Sequence, residues 1–203
     1  MKLSGDLRMR NNRELVFFVL GATILTLILR LAPHAPNFVP IGALALFIGA
    51  YFPKRWGLLI PIAVLSLSDL FIGFYDYRLM IVVYSAFFLM AGVGRLMHGK
   101  ASALRIGLGA IGGSGIFFLT TNFAVWMLSS WYPPTIEGLV AAYTMGLPFL
   151  RMTLLGNLFY TTAFFGAYEL VKMATTYRLG YTCSRSSEIK YLNAALLEKG
   201  SIK

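Results

Sequence analysis

LILRLAPHAPNFVPIGALALFIGAYF, residues 27–52, sets two apolar runs on either side of a proline-broken turn that carries Arg30 and His34. Both runs are continuous in their apolarity. Membrane-spanning strands alternate apolar and polar positions over about ten residues, so the pattern argues for helices and against a closed barrel. Pro33 and Pro36 break the backbone between the runs, so the chain is expected to turn there and return. An all-α, polytopic membrane bundle follows, and the charge placed at its first turn needs a reason.

Working outward, the rest of the chain repeats this theme. Of 203 residues, 58% are hydrophobic and 13% charged, with a mean hydropathy of +0.70. A soluble domain carries about a quarter charged residues. Crossing a hydrocarbon core of about 30 Å takes about 20 mostly apolar residues. Counting uncharged runs predicts six transmembrane helices near 14–31, 38–53, 57–75, 79–96, 104–128 and 148–171. Residues 1–172 form the expected transmembrane domain and 173–203 a polar cytoplasmic tail, with SEIKYLNAALLEK as a short surface helix. The start, MKLSGDLRMRNNRELVFFVL, is basic then apolar like a signal peptide. No Ala-x-Ala site follows it, so it reads as a retained first helix.

The net charge of +10 is distributed unevenly. With a cytoplasmic N-terminus, the inner side receives Lys2, Arg8, Arg10, Arg13, Lys54, Arg55, Arg95, Lys100, Arg105, Lys172, Arg178, Arg185, Lys190, Lys199 and Lys203. The outer half keeps Arg30, Arg78 and Arg151. The positive-inside rule then places both termini in the cytoplasm. The basic excess is accounted for by topology and anionic lipid, and no nucleic-acid partner is expected. A single cysteine, Cys183, excludes a disulfide framework and a Cys/His zinc spacing.

Ionisable residues within spans are costly and point to function. Arg30, Asp69 and Arg151 are expected at one depth, Asp69 about 18 Å up the third helix; Glu169 lies near the inner end of the sixth. Two readings stand. The arginines snorkel to headgroups while Asp69 pairs with one of them, or all three line an outward-facing cavity with Ser66 and Ser68. Asn122 and Trp126, spaced i, i+4, share a helix face suited to a planar polar ligand. Asn157 and Tyr160 extend that wall below Arg151, whereas Trp131 and Tyr132 read as interfacial belt residues. His34 is a metal ligand, a ligand contact or a polar turn residue. His98, in the basic inner loop, reads as a bystander.

Enzyme motifs fail. GRLMHGKAS, residues 94–102, matches a phosphate loop up to the lysine but has Ala101 where Ser or Thr must hold magnesium, and it follows a helix. No carboxylate pair sits at acid/base spacing, and a catalytic use of Asp69 with His34 has little support. No cofactor is expected. Ala45 with Gly49, and Gly109 with Gly113, are small-xxx-small pairs that suit close helix packing or a docking face.

RLAPHAPNFVPIGALALFIGAYF, PIAVLSLSDLFIGFYD, TNFAVW, YPPTIEGLVAAY and LPFLRMTLLGNLFYT, together spanning about residues 28–168, resemble a bacterial family of small membrane proteins identified as substrate-binding (S) components of energy-coupling factor (ECF) transporters. The resemblance implies a bacterial inner membrane, six helices, cytoplasmic termini and uptake of a vitamin-like molecule from an outer cavity. It also implies a coupling subunit and ATPases as partners. Many S components dock through an Ala-x-x-x-Ala motif on the first helix, which ELVFFVLGATIL lacks. A solitary S component, as among cobalamin-type relatives, would take a corrinoid, with His34 as the candidate cobalt ligand. The expected site is Arg30, His34, Asn37, Asp69, Asn122, Trp126, Arg151 and Asn157. The competing reading is a non-catalytic accessory subunit of a larger membrane complex.

Overall fold

The computed structural model describes the backbone of residues 2–52 and 55–200 and the side chains of residues 13–52 and 57–177. Lys54 and the side chains of Cys183 and of the basic residues at both ends lie outside the described residues. Among the described residues every regular element is helical, in six α-helices: α1 (Lys2–Leu31), α2 (Ile41–Tyr51), α3 (Ile60–Ile72), α4 (Tyr77–Leu96), α5 (Ala103–Leu128) and α6 (Ile136–Gly200), with a 3-10 turn at Arg55–Leu59. Among the described residues four segments are long and apolar enough to cross a membrane: Arg13–Leu31, Tyr77–Leu96, Ala103–Leu128 and Ile136–Tyr177. The other two expected spans are shorter. With 11 residues, α2 rises about 16 Å, and α3 with 13 residues rises about 20 Å.

Helix starts follow local chemistry. The Asp76 carboxylate caps α4 by accepting from the N–H groups of Arg78 and Leu79, and Ser102 caps α5 through Arg105 N–H. Both caps satisfy orphan first-turn donors. The sixth helix starts twelve residues before its expected beginning at 148. Thr135 Oγ1 accepts from Gly138 N–H at 3.2 Å, and Glu137 lies in the first turn, where the helix dipole favours a carboxylate. Pro148, at the expected beginning of the span, is inside α6. SEIKYLNAALLEK likewise forms the last turns of α6 and no separate helix.

At the centre lies α2, with every residue from Ile41 to Ala50 buried. A helix that is apolar all round needs neighbours on every side. Glycines bring them close. A Cβ on Gly49 would collide with the Ala91 carbonyl of α4, and one on Gly94 with the Leu46 carbonyl of α2, so the two backbones touch. Gly109 and Gly113 of α5 pack on Met97 and Met90. The small-residue pairs are therefore core packing. Phe47 anchors an aromatic cluster with Phe18, Tyr51 and Phe165 at centroid distances of 5.0–5.2 Å.

The C-terminal end of α2 is tied to α4. Arg95 Nη1 donates to Phe52 O at 2.9 Å, and His98 Nδ1 bonds Ala50 O at 2.8 Å. His98 is thus no bystander: with Arg95 it supplies donors to carbonyls that a helix end leaves unpaired.

On α1 the buried face is Leu15, Val19, Ala22 and Thr26, and the exposed face is equally apolar, with Phe17, Leu20, Ile24 and Ile28 more than half exposed. Thr26 satisfies its hydroxyl on Ala22 O at 2.7 Å. A helix apolar on its outward face is built for hydrocarbon surroundings and not for water.

The chain divides into two compact units, Met1–Phe165 and Gly166–Lys203. In the second, Glu169 pairs with Lys172 at 2.5 Å, and Lys172 lies over the Tyr168 ring at 5.3 Å. Glu169 therefore makes an exposed i, i+3 ion pair.

Candidate functional site

Arg30 closes the last turn of α1, and Ser68 and Asp69 stand on the last turns of α3. Arg30 Nε donates to Ser68 Oγ at 2.6 Å and Nη2 to Asp69 Oδ1 at 2.7 Å. Tyr84 of α4 donates to Asp69 Oδ2 at 2.7 Å. Both carboxylate oxygens are thus engaged, as a carboxylate only 2% exposed requires. Of the five guanidinium N–H donors, this network takes two.

Arg30 also faces a cavity of about 210 Å³. Its polar walls are Asn37, Tyr75, Thr153 and Asn157, and its apolar ones include Val83, Phe87 and Phe117. Asn37 has φ 61°, a left-handed conformation that asparagine tolerates better than most residues. It lets the chain turn from α1 into α2. The next residue, Phe38, stacks on Tyr160 of α6 at 5.4 Å and lies against Gly156, which has no side chain to keep it away. Tyr160 therefore clamps the turn and does not line the cavity.

Asn157 Nδ2 donates to Ser114 Oγ at 2.8 Å, and its Oδ1 side lies on Gly42, where a Cβ would collide with it. Thr153, one helical turn earlier, donates its hydroxyl to Phe149 O at 2.8 Å. Thr153 has its one donor committed and Asn157 one of its two amide N–H groups, and each oxygen is left as an acceptor. Ile41 and Gly42, at the start of α2, complete the wall. No side chain caps that helix, and its first backbone bond runs from Leu44 N–H to Pro40 O. The N–H groups of Ile41, Gly42 and Ala43 precede it, so the positive end of α2 lies at the cavity. The site offers donors from Arg30 and α2, acceptors from α6 and a tilted pair of phenylalanines, Phe87 and Phe117.

A second cavity, about 140 Å³, lies between α4 and α5 and is lined by Leu79, Val82, Thr121, Ala124 and Val125, together with Tyr75 and Val83. Tyr75 follows Gly73, whose φ of 108° is open to glycine and strained for other residues. Burial, then the neighbouring Asp69 carboxylate, pushes the Tyr75 hydroxyl from 10.0 up to about 12.

Of the expected site residues, Arg30, Asn37 and Asn157 meet at one cavity, and Asp69 sits behind Arg30. The others fall elsewhere. Asn122 Nδ2 bonds Phe118 O at 2.8 Å and packs on Gly146, while Trp126 Nε1 donates to Pro133 O at 3.1 Å. These two join α5 to the segment entering α6. Arg151 is exposed and does not line the cavity. His34 is exposed, with Nδ1 on Ala32 O at 2.7 Å, so it acts as a turn residue, and among the described residues no group of three His, Cys, Asp or Glu could hold a metal. A corrinoid does not fit these residues: His34 is absent from the walls, and the cavity is smaller than the about 300–1,000 Å³ of sites for drug-sized ligands.

Sequence reasoning missed Tyr84, Tyr75, Thr153 and Gly42. Thr153 carried a signal, since it lies four residues before Asn157 on the same helix face. Tyr84 carried none, because a tyrosine in an otherwise apolar helix reads as lipid-facing or interfacial. No curated protein and no solved structure matches this chain significantly. The chain belongs to the family of unknown function DUF6580, which its sequence matches over residues 10–179.

Proposed function

We propose that the protein is a membrane-embedded binding component for uptake of a small polar solute, working as S components of ECF transporters do. The observation that carries this reading is the cavity at the Arg30–Asp69 pair. A part-buried guanidinium keeps unused donors there, beside acceptors from Thr153 and Asn157, among apolar walls. A bundle needing only internal cross-links would engage the arginine without leaving space beside it.

The basic bias along the sequence, under the positive-inside rule, supports cytoplasmic termini with the α1–α2 and α3–α4 turns, and the cavity beside Arg30, toward the outside. The solute is smaller than a corrinoid and carries a hydrogen-bond acceptor or anionic group for Arg30. Coupling subunits and ATPases are the partners that would drive release, and the protein itself performs no catalysis.

Native mass spectrometry of the protein released gently from its own membranes tests this. The expected result is a retained small molecule in the wild type and none in Thr153→Phe, whose ring fills the cavity. Stoichiometric protein partners and no retained molecule would overturn it in favour of an accessory subunit of a membrane complex.

A further inference from the structure

The two cavities share Tyr75 and Val83 as a common wall, yet they differ in chemistry. The first is the donor and acceptor site at Arg30. The second is apolar: Leu79 and Val82 from α4, Ala124 and Val125 from α5, and Thr121, whose hydroxyl is spent on Phe117 O at 2.7 Å. The separating ring is weakly held. Tyr75 is 43% exposed, and its hydroxyl makes no hydrogen bond among the described residues.

We propose that the two cavities form one bipartite site for an amphipathic ligand, its anionic or acceptor head at Arg30 and a short apolar limb beside Tyr75, between α4 and α5. This rests on the small-solute reading above and adds the ligand's class. A wholly polar solute would leave the second cavity empty or wet. Its walls supply none of the two to four polar partners a buried water needs, beyond the Tyr75 hydroxyl. A hydrocarbon limb of a few carbons suits those walls, and each buried carbon adds affinity through the hydrophobic effect.

The test uses the full chain in lipid nanodiscs, titrated calorimetrically with benzoate, 4-ethylbenzoate and 4-propylbenzoate, and corrected with empty nanodiscs for partition into lipid. The carboxylate probes the Arg30 head site, the ring lies against the Phe87 and Phe117 walls, and the alkyl group probes the second cavity. Affinity is expected to rise about fourfold per added carbon. In Ala124→Leu, which fills the second cavity, that rise is expected to vanish. Val125→Phe serves if Ala124→Leu does not fold. Benzoate that binds with no gain from the alkyl groups would overturn the inference and leave the small-solute reading intact. So would a gain that persists in the filled variants. No binding of any of the three acids also overturns the inference, and the small-solute reading then stands or falls on the retained mass alone.

Discussion

Arg30 and Asp69, 39 positions apart, meet at 2.7 Å where the last turns of α1 and α3 come together. The carboxylate is almost wholly buried, while the arginine side chain keeps 17% of its surface exposed. Charges in this arrangement are held by each other and by hydrogen bonds, and removing one leaves the other unpaired.

Asp69→Ala is therefore expected to destabilise the protein by about 3 kcal/mol, the low end for a broken buried pair. The double variant Asp69→Leu with Arg30→Met should recover much of that loss. Thermal unfolding in one detergent compares the wild type and Asp69→Ala with Asp69→Leu, Arg30→Met and the double variant. A double variant as unstable as the sum of the singles would show that the pair is not a coupled unit.

The α2–α4 contact has a backbone too close for any side chain. Gly49→Ala and Gly94→Ala each drive a methyl group into a carbonyl of the facing helix and should cost about 1–3 kcal/mol. Gly112→Ala meets open space and should be neutral or stabilising by up to about 1 kcal/mol through helix propensity. The fraction remaining soluble after a heating series separates these outcomes. Equal tolerance of all three would contradict the close approach.

Capping of α2 by α4 predicts that His98→Ala costs about 1 kcal/mol, the net value of one hydrogen bond. Arg95→Met should cost more, roughly 1.5–3 kcal/mol, because its donor is charged. Hydrogen exchange at the α2 amides is the sensitive readout: protection should fall toward Tyr51 and persist near Ile41.

Tyr75 supplies a pH test with a defined sign. Its hydroxyl titrates near 12 in the folded protein against 10.0 for a free tyrosine, so folding favours the protonated form. That contribution is complete below pH 10 and is lost as pH rises from 10 toward 12. Wild type should lose more stability than Tyr75→Phe over that interval, and the two should respond alike between pH 6 and 9. Absorbance at the tyrosinate band should show one late-titrating group missing in the variant.

The residue sequence by itself determined the membrane class, the helical secondary structure, the turn at Pro33–Pro36 and the prominence of Arg30, Asp69 and Asn157. Hydrophobicity and charge are properties of each residue, and a charge inside an apolar run is conspicuous wherever it folds. Only the tertiary structure decided which of the polar residues meet. Asn122 and Trp126 share the face that their spacing predicts, but that face turns toward the α6 entry segment. His34 satisfies itself on Ala32, two residues away, and Arg151 remains exposed. Tyr84, invisible as a site residue in its helix, reaches Asp69 because α4 packs beside α3. The lengths of α2 and α6 were likewise out of reach of hydropathy. Burial on every side makes a short central helix as apolar as a span, and a Thr135 cap starts α6 ahead of Pro148, where the expected span begins. Contacts between residues 39 or 43 positions apart depend on how helices rotate against one another, and glycine-scale packing along α2 sets that rotation.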